Sequence, residues 1–126
     1  MTTTLERLRA ALPAAMRSRD AVAVSALRGA LAAVGNAEAV DPADHEHLAT
    51  SSSTGSEHVA GAQVGVGAAE VARRDLTERD VRQVVAAEAE SRTADAAVLD
   101  AHGQADQAGR LRAEAAVLQE VLDATA

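Results

Sequence analysis

The chain contains no Phe, Trp, Tyr or Cys, and this limits what its interior can be built from. Hydrophobic residues occupy 48% of its 126 positions, and all of them are Leu, Val, Ala or one of two Met residues. The hydrophobic core must be built from these side chains. Leucine and alanine are strong helix formers, so this set favours packed helices. Small aliphatic side chains bury less apolar surface than aromatic ones. We therefore expect modest stability, or additional stability from self-association.

The same missing residues exclude several kinds of functional site. A chain without cysteine has no disulfide, thiol nucleophile, zinc finger or iron–sulfur cluster. A chain without Phe, Trp or Tyr lacks the side chains that usually form base-stacking platforms and cation–π cages. All 12 basic residues are arginines and face 19 acidic ones, which gives a net charge of −7. Phosphate backbones should repel such a chain unless its arginines cluster on one face.

Residues 1–39 predict a first pair of helices. Thr3 and Glu6 have the spacing of a capping box at a helix start, and Asp20 is suited to cap a second helix. Pro13 predicts a kink, because proline removes one helical hydrogen bond. The expected apolar stripes are Leu5, Leu8, Leu12, Ala15 and Met16 in the first helix and Val24, Leu27, Leu31 and Val34 in the second.

Residues 40–75 have a different composition, which predicts a long, flexible, acidic loop. Asp41 and Pro42 have the pattern of a short helical start, but residues 50–56 are only Ser, Thr and Gly, with more glycines after them. No basic residue lies between Arg28 and Arg73. Such a segment buries too little apolar surface to offset the conformational entropy that the chain would lose on ordering.

Residues 76–126 predict a second helical hairpin. Thr77 and Asp80 have a second capping-box pattern, and Gly103 is expected to end the third helix. The expected inner faces are Val81, Val85, Glu88, Arg92, Ala96 and Leu99 in the third helix and Ala108, Leu111, Ala115, Leu118 and Leu122 in the fourth. The predicted fold is therefore all-α. It is a four-helix, bundle-like arrangement of two helical hairpins joined by a long flexible loop, in a single domain over residues 1–126.

Glu88 and Arg92 interrupt the apolar face of the third helix, four residues apart. This spacing places the two side chains next to each other. In a groove, a carboxylate and a guanidinium can orient a polar ligand. The commoner role of such a pair is a salt bridge, here at the end of the bundle, with Arg28 as a further candidate member.

Three patterns in the predicted loop suggest chemistry but lack what that chemistry needs. The histidines His45 and His47 flank Glu46, with His58 further on, but they lack the spacing of a helical zinc site. The glycines between Gly61 and Gly67 lack the Gly-Lys-Ser/Thr ending of a phosphate loop, and the chain has no lysine. The serines Ser51–Ser53 therefore also lack a lysine base. We expect no catalytic residue, no metal and no cofactor.

The arginines are unevenly distributed along the chain. Residues 1–39 contain five arginines and three acidic residues, for a net charge of +2, and the remainder carries −9. A solvated helix face is one interpretation of the arginines. The other is a local basic surface near the helix ends, formed by Arg17, Arg28, Arg73, Arg74, Arg79, Arg82 and Arg92. The N-terminal residues Met1–Arg7 lack the basic and apolar regions of a signal peptide, and no apolar run is long enough to span a membrane. We therefore expect a cytoplasmic protein.

Several segments, in order, resemble the GatB/YqeY-like family. Residues 15–20 are similar to its Ala-Met-Lys-x-Arg-Asp motif, and residues 27–38 to Leu-Arg-x-Leu-x-Ala-Ile-x-Asn-x-Glu. Residues 76–81 resemble the helix start Leu-Thr-Glu-Glu-Glu-Val. The segment 103–106, with Glu114, Leu118 and Leu122, resembles the family's second helical hairpin. The match lacks the small C-terminal helical domain that normally follows in the family.

The resemblance implies an all-helical fold and kinship with the tail of the B subunit of glutamine-dependent tRNA amidotransferases. In that enzyme the amidase and kinase sites lie elsewhere, and the tail contacts tRNA. The expectation is an accessory or binding module associated with glutamine-dependent amidation of aminoacyl-tRNA, a carbon–nitrogen ligase reaction, without catalytic residues of its own. The alternative is a helical protein–protein adaptor or a self-associating bundle with no RNA role.

The expected partners are tRNA or an amidotransferase subunit, with no membrane contact and with a homo-oligomer as a further option. Arginines would meet phosphate or a partner carboxylate, and the amide and carboxylate groups would fix contacts between helices. The residues expected to take part are Arg17, Arg19, Asp20, Arg28, Asn36, Glu88 and Arg92.

Overall fold

The structure is a computed structural model of the chain and describes residues 1–39 and 74–126. These ranges contain four helices and no strand: α1 (Thr4–Arg17), α2 (Ala21–Ala37), α3 (Glu78–Ala101) and α4 (Ala105–Ala124). The all-α fold and the two helical hairpins are therefore confirmed. The predicted loop falls almost entirely on residues 40–73, outside the described residues.

The chain divides into two compact units. The first unit combines Met1–Val34 with Thr77–Ala126 and so contains α1, most of α2, α3 and α4. The second unit, Gly35–Leu76, begins with the last residues of α2. Within it, the backbone N–H of Arg74 donates to the carbonyl of Glu38 at 2.8 Å.

Both α1 and α3 begin with a complete capping box, as the sequence predicts. The Thr3 hydroxyl accepts from the Glu6 N–H at 3.1 Å, and the Glu6 carboxylate accepts from the Thr3 N–H at 3.2 Å. Thr77 and Asp80 make the same two bonds at 3.1 and 3.0 Å. These bonds satisfy N–H groups that a helix start leaves without partners. Helix α1 continues through Pro13 to Arg17.

The two hairpin turns share one backbone geometry. In the first turn, Asp20 N–H donates to Ala15 C=O at 3.0 Å, and Arg19 N–H donates to Met16 C=O at 3.2 Å. In the second, residues 104 and 103 donate to the carbonyls of residues 99 and 100 at 2.8 and 3.1 Å. These paired bonds define the Schellman motif, in which one residue takes a left-handed conformation. That residue is Arg19, with φ of 57°, in the first turn and Gly103, with φ of 75°, in the second.

Asp20 ends the first turn and also caps the next helix. Its Oδ1 accepts from the backbone N–H of Ala23 at 3.0 Å, so the predicted cap of α2 is present. In the second turn, Gln104 occupies the matching position without a side-chain capping bond. The first turn therefore has a side-chain cap that the second lacks.

The core consists of small aliphatic side chains from all four helices. Its largest fully buried aliphatic members are Leu8, Leu27, Val34, Val85 and Leu118. The predicted Leu118 and Leu122 seam of α4 packs inside the chain, where Leu118 is fully buried and Leu122 is 5% exposed. Leu111 of the same seam is half-buried.

One predicted core position is wrong, because Met16 is 49% exposed. The inner face of α1 is formed by Thr4, Leu8 and Ala15, which lie within about 40° of one another at 100° per residue. Met16 follows Ala15 directly and so lies about 100° away from that face. Leu5 and Leu12 flank the face and are half-buried.

No helix in residues 1–39 or 74–126 is long and apolar enough to cross a membrane.

Candidate functional site

Three charged side chains, Glu88, Arg92 and Glu114, form a cluster that joins α3 to α4, and we refer to them as the ion cluster. Arg92 Nε donates to Oε1 of Glu114 at 2.9 Å, and Arg92 Nη1 donates to Oε1 of Glu88 at 3.0 Å. The same Nη1 also donates to the backbone carbonyl of Glu88 at 3.1 Å. The side chains of Arg92 and Glu114 are only 14% and 7% exposed, while that of Glu88 is 31% exposed. The salt bridge predicted from the four-residue spacing is thus present, and its third member is Glu114 rather than Arg28.

The environment of Arg92 stabilises its charged form. Burial lowers the pKa of Arg92, but hydrogen bonds to Glu114 and Glu88 and attraction to both carboxylates outweigh it and raise the pKa above its ordinary value. The guanidinium therefore stays charged at every pH at which the protein is handled. One cation lies between two carboxylates, so with both ionised the cluster carries a net charge of −1.

Helix α2 reaches the same cluster through Gly29. A Cβ atom added at Gly29 would overlap Nη2 of Arg92 and would lie 3.9 Å from Oε1 of Glu88. Only glycine leaves room for the guanidinium to lie against α2 at this point. The cluster therefore joins α3 to α4 and lies against α2 at Gly29. Nε and Nη1 of Arg92 already donate to the carboxylates of Glu114 and Glu88. The geometry therefore favours a structural role for the cluster.

Apart from Arg92, the arginines expected to bind a partner are not members of this cluster. Arg17, Arg19 and Asp20 lie together at the turn between α1 and α2, and all three are exposed. Arg28 is exposed on α2, beside Gly29. None of these three arginines makes a side-chain hydrogen bond or ion pair within the described ranges. Asp20 uses one carboxylate oxygen to cap α2. The structure thus brings three of the predicted residues together at the turn and two others in the ion cluster.

Asn36 belongs to the second unit. It is exposed near the end of α2, and its backbone carbonyl accepts from the Ala39 N–H at 3.1 Å. No side-chain hydrogen bond of Asn36 is found within residues 1–39 and 74–126.

A second polar network, which the sequence analysis missed, lies where α1 begins and α4 ends. The buried Thr4 donates to the carboxylate of Glu78 from its hydroxyl at 2.6 Å and from its backbone N–H at 3.1 Å. Arg82 Nη1 donates to the Leu122 carbonyl at 3.1 Å and to the Thr125 hydroxyl at 2.8 Å. We refer to Thr4, Glu78, Arg82 and Thr125 as the terminal clasp.

The terminal clasp satisfies helix ends with side chains from elsewhere in the chain. Glu78 places a carboxylate at the N-terminus of α1, and Arg82 places a cation on the last carbonyls of α4, as the helix dipole favours. Arg82 was expected only as a member of a basic surface. Thr4 and Glu78 are 74 residues apart, so no local pattern reveals their pairing.

The remaining predicted candidates lie outside the described residues. They are His45, Glu46, His47 and His58, the serines 51–53 and the glycine-rich stretch 61–67. Within the two described ranges, no group of three or more His, Asp or Glu side chains is arranged to hold a metal ion.

Comparisons with known protein families, with curated proteins and with solved structures give no match for this chain.

Proposed function

We propose that this chain is a YqeY-like accessory module that binds a partner in the glutamine-dependent amidation of aminoacyl-tRNA and supplies no catalytic residue itself. The proposal rests on the sequence resemblance together with one structural observation. The α1–α2 hairpin exposes Arg7, Arg9, Arg17, Arg19 and Arg28, and none of them is paired with a carboxylate in the described part of the chain. Exposed, unpaired guanidinium groups are suited to phosphate or carboxylate oxygens.

Two groups of polar side chains elsewhere in the first unit already hydrogen-bond within the chain. Arg92, Glu88 and Glu114 hydrogen-bond to one another, and the terminal clasp joins helix ends. The unpaired arginines of the α1–α2 hairpin therefore remain the best-supported contact surface. Since Arg17 and Arg19 border the turn and Arg28 lies on α2, a partner would meet this hairpin rather than the α3–α4 hairpin.

The proposal is tested with purified protein and a tRNA transcript titrated over a range of salt concentrations. Phosphate contacts release counterions, so we expect micromolar binding that weakens steeply as salt increases. Absence of binding at low salt would exclude tRNA as the direct partner, and an amidotransferase subunit would then be tested by co-purification. Absence of both interactions would overturn the proposal.

A helical protein–protein adaptor is the second candidate function. It is favoured by the net charge of −7, which opposes RNA binding, and by a surface groove of about 580 Å³ between α3 and α4. Alanines form much of this groove, and small side chains allow a partner helix to approach closely. The Leu118 and Leu122 seam is not available for self-association, because both residues belong to the chain's own core. Stable self-association that ignores RNA would favour this alternative.

A further inference from the structure

A surface groove beside the first turns of α3 contains two arginines with unused hydrogen-bond donors. Its volume is about 470 Å³, within the range of roughly 300–1,000 Å³ typical of small-molecule sites. It is separate from the α1–α2 arginines that carry the proposed function. Its lining consists of Glu78, Arg79, Arg82, Gln83, Ala86 and Leu122.

Arg82 is held in place from one side. Its Nη1 is bound to the Leu122 carbonyl at 3.1 Å and to the Thr125 hydroxyl at 2.8 Å. These bonds restrict the long side chain in advance, so a ligand would lose less free energy in ordering it. Within the described ranges, every hydrogen bond of the Arg82 side chain is donated by Nη1, and Nε and Nη2 donate none. The Nε–Nη2 edge is therefore the one that a ligand can use.

Arg79 lies three residues before Arg82, which places both on the same side of α3. It is exposed and has no side-chain partner among residues 1–39 and 74–126. Among the described residues, Glu78 is the only carboxylate that lines the groove, and its oxygens already accept from Thr4 at 2.6 and 3.1 Å. With two guanidinium groups and one engaged carboxylate, the groove has a net charge of +1.

We propose that this groove binds a small organic carboxylate. A guanidinium edge pairs with the two oxygens of a carboxylate through parallel hydrogen bonds, and Arg82 offers its Nε–Nη2 edge while Arg79 adds a second cation. The net charge of +1 matches a monoanion better than a phosphate dianion. Ala86 and Leu122 provide apolar surface for the hydrocarbon part of the ligand.

The test titrates acetate, butyrate and inorganic phosphate into isotope-labelled protein and follows the Nε–H signals of the arginines by NMR. We expect a saturable shift of the Arg82 signal. Butyrate should bind about fourfold more tightly than acetate, because two further methylene groups become half-buried. Phosphate should bind more weakly than butyrate. No saturation by about 50 mM butyrate, or tighter binding of phosphate than of butyrate, would overturn the proposal.

Two variants with the same charge change distinguish a site from general attraction. Arg79→Gln removes a guanidinium that has no partner in the described structure, so folding should be unaffected. Its butyrate affinity should fall about tenfold, as expected for the loss of one charge-assisted hydrogen bond. Arg110→Gln removes an exposed arginine of α4 outside the groove and should leave the affinity unchanged. Equal losses in the two variants, or no loss in Arg79→Gln, would contradict the assignment.

Discussion

Nε of Arg92 lies 2.9 Å from Oε1 of Glu114, and the two side chains are 14% and 7% exposed. A guanidinium on α3 and a carboxylate on α4 thus form a nearly buried pair that connects the two helices. Removing one member of a buried pair leaves the other without compensation. We therefore predict that Glu114→Ala lowers the free energy of unfolding by about 3 kcal/mol, near the lower end of the usual range because Glu88 still contacts Arg92.

Urea denaturation measures this effect, with Glu120→Ala as the matched control. Glu120 is exposed on the same helix, so its removal should change the free energy of unfolding by no more than about 0.5 kcal/mol. Glu114→Gln keeps an acceptor for Arg92 and should lie between the two. A Glu114→Ala protein as stable as the Glu120→Ala protein would show that the ion cluster does not hold α3 and α4 together.

Gly29 is predicted to be intolerant of alanine, although alanine normally stabilises a helix. The added Cβ would overlap Nη2 of Arg92, and that guanidinium is fixed by Glu88 and Glu114. Gly29→Ala should lower the free energy of unfolding by about 1–3 kcal/mol, the usual effect of overpacking. At Gly109 on α4, an added Cβ would meet no described residue within 4 Å. Gly109→Ala should therefore raise the free energy of unfolding by about 0.8 kcal/mol. Denaturation that gives the same sign for both variants would contradict the packing described for Gly29.

Arg19 and Gly103 occupy equivalent positions in the two hairpin turns, with φ of 57° and 75°. A left-handed conformation is unfavourable by about 1 kcal/mol for most residues with a Cβ and is free of that penalty for glycine. Arg19→Asn should therefore raise the melting temperature, since asparagine tolerates this conformation, and Gly103→Ala should lower it. A Cβ at Gly103 meets no described residue within 4 Å, so backbone conformation alone accounts for its effect. Calorimetric melting of both variants checks the opposite signs.

The capping box of α1 predicts a pH-dependent contribution to stability. Hydrogen bonds from Thr3 lower the pKa of Glu6 from its usual 4.5. A carboxyl group with a lowered pKa in the folded state stabilises the fold above the unfolded-state value and loses that effect as the pH falls through the folded-state value. Glu6→Gln keeps the side-chain acceptor without the charge. It should therefore melt at a lower temperature than the wild type at pH 7, and the difference should be smaller at an acidic pH below 4.5. A difference that is the same at both pH values would contradict this role.

The features that the sequence predicts correctly are those determined by a few neighbouring residues. Capping boxes at Thr3 and Thr77, the cap at Asp20 and the helix end at Gly103 each need information from within one turn. The Glu88–Arg92 pair follows from helical spacing for the same reason. These features are local, and the physical chemistry that favours them is present in the isolated segment.

Contacts between distant segments could not be predicted from one sequence. Arg92 and Glu114 are 22 residues apart, and Arg82 and Thr125 are 43 apart, so their pairing depends on how the helices pack. Met16 was expected in the core because periodicity identifies an apolar stripe but not which edge of the stripe faces inward. Glu114 lies among the buried residues of α4, a position that burial rules alone would assign to an apolar side chain.

We propose that unpaired arginines of the α1–α2 hairpin contact tRNA, and the salt dependence of binding is the measurement that checks this contact. The slope of the logarithm of the tRNA binding constant against the logarithm of the salt concentration is measured for the wild type, the Arg17→Ala/Arg28→Ala double variant and Arg110→Ala. We predict that the double variant reduces the magnitude of this negative slope by about 2, or about 1 for each lost phosphate contact. Arg110→Ala should leave the slope unchanged. Equal slopes for all three proteins, or no binding at low salt, would contradict the claim.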